Sequence, residues 1–185
     1  MIVAAALLAL GLGGFAAASA SPAGAATAVG TPTITDDVQG TVTATDDVVT
    51  CLPSTISIGG TTAVAFTVGC LTLYYGDNLS VAWSGSGVST ELTLQGSDGN
   101  FVVYAGNGKV WGAGTRAVDL ATGPGCEAQF QSDANLVVRN CSSAALWASG
   151  THTYPNAVLA FQADGNLVIY SAASGGKALW SSGTN

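Results

Sequence analysis

Charged residues are scarce in this chain of 185 residues, and basic residues are the scarcest. Only 8% of the residues are charged, and 4 lysines and arginines stand against 11 acidic residues, for a formal net charge of −7. Without a basic patch the chain cannot neutralise a row of phosphates, so we expect no nucleic-acid partner. Attraction to an anionic membrane surface is disfavoured for the same reason. An uncharged partner is therefore the favoured expectation.

Patterns that bind metals or perform catalysis are also missing. The chain has a single histidine, His152, and its four cysteines show no C-x-x-C spacing, which argues against zinc. A glycosidase needs two carboxyls about 5–10 Å apart at a cleft. Glu91, Asp119 and Glu127 show no such pairing. We predict that the protein is not an enzyme and needs no cofactor or metal.

Helix-forming composition is absent beyond the first thirty residues. The chain contains 25 glycines and is dominated by small and β-branched residues. This composition is typical of a compact all-β protein with many tight turns.

An apolar run opens the chain, MIVAAALLALGLGGFAAASASPAGAA. It ends in strings typical of signal-peptidase sites, Ala18-Ser19-Ala20 and Ala23-Gly24-Ala25, although no positive residue precedes it. A transmembrane anchor is the competing interpretation, because the run nears spanning length. Its glycines and alanines make it weakly hydrophobic and favour cleavage. We predict a signal peptide over residues 1–26, a secreted protein, and no membrane insertion after the signal is removed.

Export favours two disulfides among the four cysteines. Four cysteines allow three pairings, and proximity along the chain favours Cys51–Cys70 and Cys126–Cys141. If Gln131 faces Asn135 across a hairpin, Cys126 and Cys141 lie nearly opposite each other at its open end.

Three copies of one hairpin pattern follow residue 91. They are LTLQGSDGNFVVYAGNGKVWGAGT, AQFQSDANLVVRNCSSAALWASGT and LAFQADGNLVIYSAASGGKALWSSGT. Each copy ends in a W-x-x-G-T string, which begins at Trp111, Trp147 or Trp180. These tryptophans repeat with the fold and are predicted core residues, whereas Trp83 lies outside the repeat and is the candidate for exposure.

Polar and apolar side chains alternate within each copy, as expected for a half-buried antiparallel sheet. A turn at Ala163-Asp164-Gly165 would place Gln162 opposite Asn166. The side chains predicted to face inward are Leu94, Phe101 and Val103, then Phe130, Leu136 and Val138, and finally Phe161, Leu167 and Ile169.

The repeated Q-x-D-x-N-x-V-x-Y motif, with its W-x-x-G-T strings, resembles the bulb-type, mannose-binding lectins of monocot plants and their bacterial relatives. The resemblance covers residues 71–185. It implies a β-prism II fold, in which three antiparallel sheets surround a pseudo-threefold axis and tryptophans fill the centre. It also implies up to three sugar sites, in which glutamine, aspartate, asparagine and tyrosine bond mannose hydroxyls and valine packs on the ring carbons.

Carried over by position, the motif marks three candidate sites. The third copy is complete, with Gln162, Asp164, Asn166, Val168 and Tyr170. The first copy has one extra residue, interpreted as a turn lengthened at Gly96, and comprises Gln95, Asp98, Asn100, Val102 and Tyr104. The second copy has Gln131, Asp133, Asn135 and Val137, with Arg139 in place of tyrosine.

Residues 27–70 are predicted to be a small β extension or stalk, one interpretation being that it packs on the prism, with a hairpin turning at Gly59-Gly60. A calcium site at Asp36, Asp37, Asp46 and Asp47 is one interpretation of its acids, and a solvated linker is the favoured one.

The predicted function is an exported lectin for mannose-type glycans. The alternative is a lectin-like protein-interaction or antibacterial module whose sugar sites are partly lost, which Arg139 and the lengthened first turn favour. The oligomeric state stays open.

Overall fold

The computed structural model describes residues 31–36, 40–41, 48–58, 60–116, 123–174 and 176–185. Every regular element within these ranges is a β-strand. In chain order the strands are β1 (Pro32–Asp36), β2 (Gly40–Thr41), β3 (Ser54–Ile58), β4 (Thr61–Thr67), β5 (Leu71–Tyr74), β6 (Asn78–Trp83), β7 (Ser89–Leu94), β8 (Phe101–Ala105), β9 (Val110–Gly112), β10 (Gly125–Phe130), β11 (Leu136–Asn140), β12 (Ala145–Ala148), β13 (Val158–Gln162), β14 (Leu167–Tyr170) and β15 (Ala178–Ser181).

The predicted signal peptide lies outside the described residues, so export stays a prediction. Within the part of the chain that the structure covers, no helix has the length and hydrophobicity needed to cross a bilayer.

The strands form three antiparallel sheets, each built around one copy of the repeat. The first sheet has the order β2-β1-β6-β7-β8-β9, the second β12-β11-β10-β5, and the third β15-β14-β13-β4-β3. The three strands of each copy lie side by side, because short turns join neighbouring antiparallel strands. A fourth strand from earlier in the chain pairs with the first strand of each copy, and these strands are β6, β5 and β4.

The predicted alternation of inner and outer faces is confirmed. All nine side chains predicted to face inward are buried in one shared core. In the third sheet, Leu159 pairs with Ile169 and Phe161 with Leu167, so these four side chains share the inner face. The residues between them, including those of the motif, face outward.

Three tryptophans meet where the sheets converge. The ring centroids of Trp111 and Trp147 lie 5.2 Å apart, those of Trp111 and Trp180 5.0 Å, and those of Trp147 and Trp180 5.6 Å. All three pairs meet edge to face, the arrangement that aromatic quadrupoles favour. Together with the three antiparallel sheets, this threefold cluster confirms the predicted all-β, β-prism fold.

The prediction for Trp83 was wrong, because this side chain is 4% exposed and belongs to the core. Trp83 pairs with Pro32 of β1, which lengthens the first sheet beyond β6. The added strand supplies neighbours that the sequence pattern did not indicate.

Part of the predicted extension lies within the prism. Strand β4 occupies an inner position of the third sheet, with Phe161 paired to Val64 and Leu159 to Phe66. Val64 and Phe66 are buried in the main core. The division of the chain at residue 70 stays a prediction, but β3 and β4 belong structurally to the third sheet.

Both predicted disulfides are confirmed. Cys51 is joined to Cys70 with 5.3 Å between their Cα atoms, and Cys126 to Cys141 with 5.1 Å. The second bond closes the open end of the β10–β11 hairpin, as the register indicated. The first links the segment before β3 to the start of β5.

Candidate functional site

The third copy of the motif forms a tight turn between β13 and β14. The backbone amide of Gln162 donates to the backbone carbonyl of Asn166 at 2.9 Å. The backbone amide of Gly165 donates to the backbone carbonyl of Gln162 at 3.0 Å. Asp164 accepts the Asn166 amide on Oδ1 at 3.0 Å. One oxygen of this exposed carboxylate therefore shapes the turn, while the other remains available to a ligand.

The side chain of Asn166 is held by the end of its own repeat. Its Oδ1 accepts hydrogen bonds from the Gly183 amide at 3.0 Å and from the hydroxyls of Ser181 and Ser182 at 3.0 and 3.1 Å. These contacts use the acceptor end of the amide. The –NH₂ group is left as the donor that Asn166 can offer to a ligand.

A direct hydrogen bond joins the two ends of the third site. Gln162 donates through Nε2 to the Tyr170 hydroxyl at 3.0 Å. The two side chains therefore meet directly across the hairpin. Tyr170 also packs against an apolar cluster of Ile58, Ala65 and Val158 on the outer face of the sheet. The position of the Tyr170 hydroxyl is therefore defined before any ligand binds.

The first copy reproduces this arrangement in spite of its extra residue. Gln95 donates to the Tyr104 hydroxyl at 2.8 Å, and Asp98 accepts the Asn100 amide at 3.0 Å. The Gly99 amide donates to the Gln95 carbonyl at 2.8 Å, one residue later than in the third copy. The turn thus absorbs the insertion, as the sequence indicated, and Gln95 keeps the contact that Gln162 makes.

The second copy keeps the turn but not the link across the site. Asp133 accepts the Asn135 amide at 2.9 Å, and the Gln131 amide donates to the Asn135 carbonyl at 2.8 Å. The Gln131 side chain instead approaches Gln129 at 3.5 Å. Arg139 approaches the Ser143 carbonyl at 3.5 Å, the weak limit of a hydrogen bond.

The three motif valines lie at matching places on the outer faces of the sheets. Val102, Val137 and Val168 pair with Thr93, Gln129 and Ala160 across the central strands. All three are buried, with 2–4% of their surface exposed. Their predicted packing on sugar carbons stays a prediction.

Sequence reasoning missed the supporting role of the W-x-x-G-T strings. The Thr184 hydroxyl is buried and donates to the Gly165 carbonyl, and the Thr151 hydroxyl bonds the Ala134 carbonyl in the same way. Thr115 repeats the contact with Gly99. The threonine that ends each string could have indicated this role, because a tryptophan in the core does not need a threonine four residues later.

The motif positions of each copy lie on one hairpin, and the three hairpins belong to separate sheets. Among the described residues, no group of three His, Cys, Asp or Glu side chains is placed to hold a metal ion. Three of the acids in the considered calcium site, Asp37, Asp46 and Asp47, lie outside those residues.

The chain is similar to several lectins of known structure. A monomeric monocot mannose-binding lectin from Gastrodia elata is 32% identical, with a TM-score of 0.48 over 65% of this chain and 97% of the lectin. Polygonatum cyrtonema lectin, solved with monomannoside, is 29% identical, with a TM-score of 0.39 over 62% of this chain and 96% of the lectin.

A mannose-specific bulb lectin from Scilla campanulata (bluebell) is 25% identical, with a TM-score of 0.40 over 83% of this chain and 98% of the lectin. No protein-family model matches the chain, and neither does any curated protein.

Proposed function

We propose that this protein is an exported, bulb-type lectin that binds mannose or mannose-like sugars without altering them chemically. The observation that carries the proposal is the pre-formed set of outward-facing polar groups in the first and third copies. In both, glutamine is already bonded to tyrosine, at 2.8 and 3.0 Å. A turn without a binding role does not require a glutamine, a valine and a tyrosine beyond it.

The groups left free in the third site suit a pair of neighbouring sugar hydroxyls. Asp164 offers a carboxylate oxygen, Asn166 offers amide hydrogens, and Gln162 has its carbonyl oxygen available as an acceptor. A hydroxyl both donates and accepts, so this set can satisfy two adjacent hydroxyls at once. Because the turn and the W-x-x-G-T string hold these side chains in place, binding requires little ordering.

Each site is expected to bind a single sugar weakly. A shallow site on the face of a sheet buries little of a monosaccharide, so we expect a Kd near millimolar, or about −4 kcal/mol. Useful affinity would come from engaging several sites on one glycan surface.

The test is an NMR titration of the mature chain with methyl α-mannoside and methyl α-galactoside. The methyl signals of Val102, Val137 and Val168 report the first, second and third sites separately. We expect mannoside to shift Val102 and Val168 and galactoside to shift neither. The Asn166→Ala, Tyr170→Phe double variant should lose the Val168 response alone, whereas Lys177→Gln, on an exposed turn residue, should retain it.

A lectin-like protein-interaction or antibacterial module is the second candidate. Arg139 favours it, because the second copy lacks the tyrosine that completes the motif and its glutamine makes a different contact. Selective mannoside binding at Val102 and Val168 would show that the first and third sites still bind sugar, which would exclude this alternative for them. No response to either sugar would favour the module.

A further inference from the structure

Arg139 places a cation where the other two copies have a neutral hydroxyl. It lies on the outer face of the second sheet and is half-buried, and its partner across the β10–β11 pair is Glu127. Within the described part of the chain, the guanidinium's polar contact is with the Ser143 carbonyl, at 3.5 Å. A guanidinium carries five N–H donors, so this cation has spare hydrogen-bonding capacity at the edge of the site.

The opposite end of the second site is unchanged. Asp133 forms the same turn contact as its counterparts, and Asn135 Oδ1 is again occupied, by the Ser149 hydroxyl at 3.1 Å and the Gly150 amide at 3.0 Å. A carboxylate oxygen and amide hydrogens are therefore presented to a ligand as in the third copy. This end retains the groups that suit neighbouring hydroxyls.

We infer that the second site is selective for an acidic sugar, a hexuronate whose hydroxyls meet Asp133 and Asn135 and whose carboxylate meets Arg139. The inference rests on the proposed function, since it assigns a sugar class to one of the proposed sites. The planar guanidinium matches a carboxylate in a bidentate pair, and such charge-assisted bonds are stronger than neutral ones. A neutral hexose offers this site no anion and lacks the tyrosine hydroxyl found in the other sites.

The other two copies show that a side chain at the position of Arg139 can reach across the site. Tyr104 and Tyr170 occupy the position of Arg139, four residues beyond the asparagine, and both contact the glutamine at the turn. The longer arginine side chain can cover the same span. Since Gln131 is not engaged by a tyrosine, its side chain is free of the link that closes the other two sites.

Glu127 opposes the binding of an anion and so provides a second, independent test. It is the Cα partner of Arg139, so its carboxylate adds a negative charge beside the position that we assign to the carboxylate of the uronate. Replacing it by glutamine removes that charge while keeping size and polarity. We therefore expect Glu127→Gln to strengthen uronate binding and Arg139→Gln to weaken it.

The experiment titrates the mature chain with methyl α-mannosiduronate, methyl α-galactosiduronate and methyl α-mannoside, and follows the methyl signals of Val102, Val137 and Val168. We expect mannosiduronate to shift Val137 saturably and the other two ligands to leave it unchanged. Arg139→Gln should weaken this response by roughly tenfold, the factor expected from one lost charge-assisted bond. Added salt should weaken it further.

Arg139→Tyr is the matched exchange, because it recreates the motif of the other copies. It should transfer the Val137 response from mannosiduronate to mannoside. Unchanged Val102 and Val168 responses would show that each variant is folded.

Two results would overturn the inference: an equal shift of Val137 by both uronates, or a response that Arg139→Gln leaves intact. In either case mannoside shifts at Val102 and Val168 would leave the proposed function standing. If mannoside shifts no valine either, the proposed function fails as well, so the two failures are distinguishable.

Discussion

The second and third sheets carry the same turn and the same inner face but differ on the outer face. In the third sheet the residues beside the motif are apolar, and Tyr170 rests on a cluster of Ile58, Ala65 and Val158. In the second sheet, Gln129 and Glu127 occupy the places of Ala160 and Val158, and Arg139 replaces the tyrosine. Gln162 is 5% exposed, whereas Gln131 is only half-buried. The hairpin thus fixes the positions of the motif residues, and the outer-face neighbours determine how polar their surroundings are.

The largest effect is expected from breaking the scaffold that both sheets share. Phe130→Ala and Phe161→Ala each remove a fully buried ring, and we expect losses of about 3–5 kcal/mol in the free energy of unfolding. Phe161 should cost more, because its ring meets Phe66 edge to face at 5.6 Å. Chemical denaturation of the two variants measures the difference. A smaller loss for Phe161→Ala would contradict this account of the third sheet.

The next largest effect distinguishes the β10–β11 hairpin from the β13–β14 hairpin, because a disulfide crosses the first of them. Replacing Cys126 and Cys141 by serine opens a loop with a sequence separation of 15 and should cost about 3 kcal/mol. Hydrogen exchange should then accelerate in β10 and β11 relative to β13 and β14. Equal acceleration in both hairpins would mean that the bond stabilises the whole prism rather than the second sheet.

The turns offer a matched exchange of glycine and alanine. Ala134 has a φ of 76°, and its counterpart Gly165 has a φ of 92°. Gly165→Ala should lower the free energy of unfolding by about 1–2 kcal/mol through the left-handed backbone alone. The Cβ of the new alanine would also lie 3.1 Å from the Cβ of Ala105. Ala134→Gly should be neutral or gain up to about 1 kcal/mol, since relief of strain is offset by unfolded-state entropy. Thermal unfolding of the pair tests whether the two turns share one backbone geometry.

The smallest effect concerns the support of the site asparagine. Ser182 donates to Asn166 at 3.1 Å and also accepts the Leu167 amide at 3.0 Å, whereas the first copy has Ala113 at this position. Ser182→Ala should cost about 1 kcal/mol and weaken binding at the third site. The control is Ala113→Ser, which should leave the third site unchanged. Calorimetry and the Val168 signal would show whether stability or binding responds.

Much of the fold could be predicted because the repeat appears three times. Alternation around Phe130 and Phe161 defined the buried face, and the spacing of Cys126 and Cys141 agreed with the hairpin register. The role of β4 could not be predicted in this way. Its pairing with β13 joins distant parts of the chain, and its pattern also suits a hairpin on a separate stalk. Trp83 was misjudged for a related reason, since β1, the strand that pairs with it, comes from outside the repeat.

The motif predicted which residues make up each candidate site, and their role in binding stays a prediction. The hydrogen bonds among those residues were not predicted. The motif placed Gln162, Asn166 and Tyr170 on one face, and the structure agrees. That Gln162 and Tyr170 bond each other depends on side-chain directions that spacing does not specify. The bonds from Ser182 and Thr184 were missed because they come from the far end of the repeat. Local patterns predicted the hairpins, and contacts between distant segments had to be observed.

The place of β4 has a consequence for the order in which the prism can assemble. During synthesis β4 emerges before all three copies of the repeat, but its partner β13 follows only after the first and second copies. The third sheet therefore closes last, across the longest loop of the domain, where closure entropy is greatest and folding slowest. Until then the edge of β4 that faces β13 is unpaired, and the apolar side chains Val64 and Phe66 lack their partners in the core. The most complete of the candidate sites thus forms only after the third copy has been made, because Gly183 and Thr184 hold its turn.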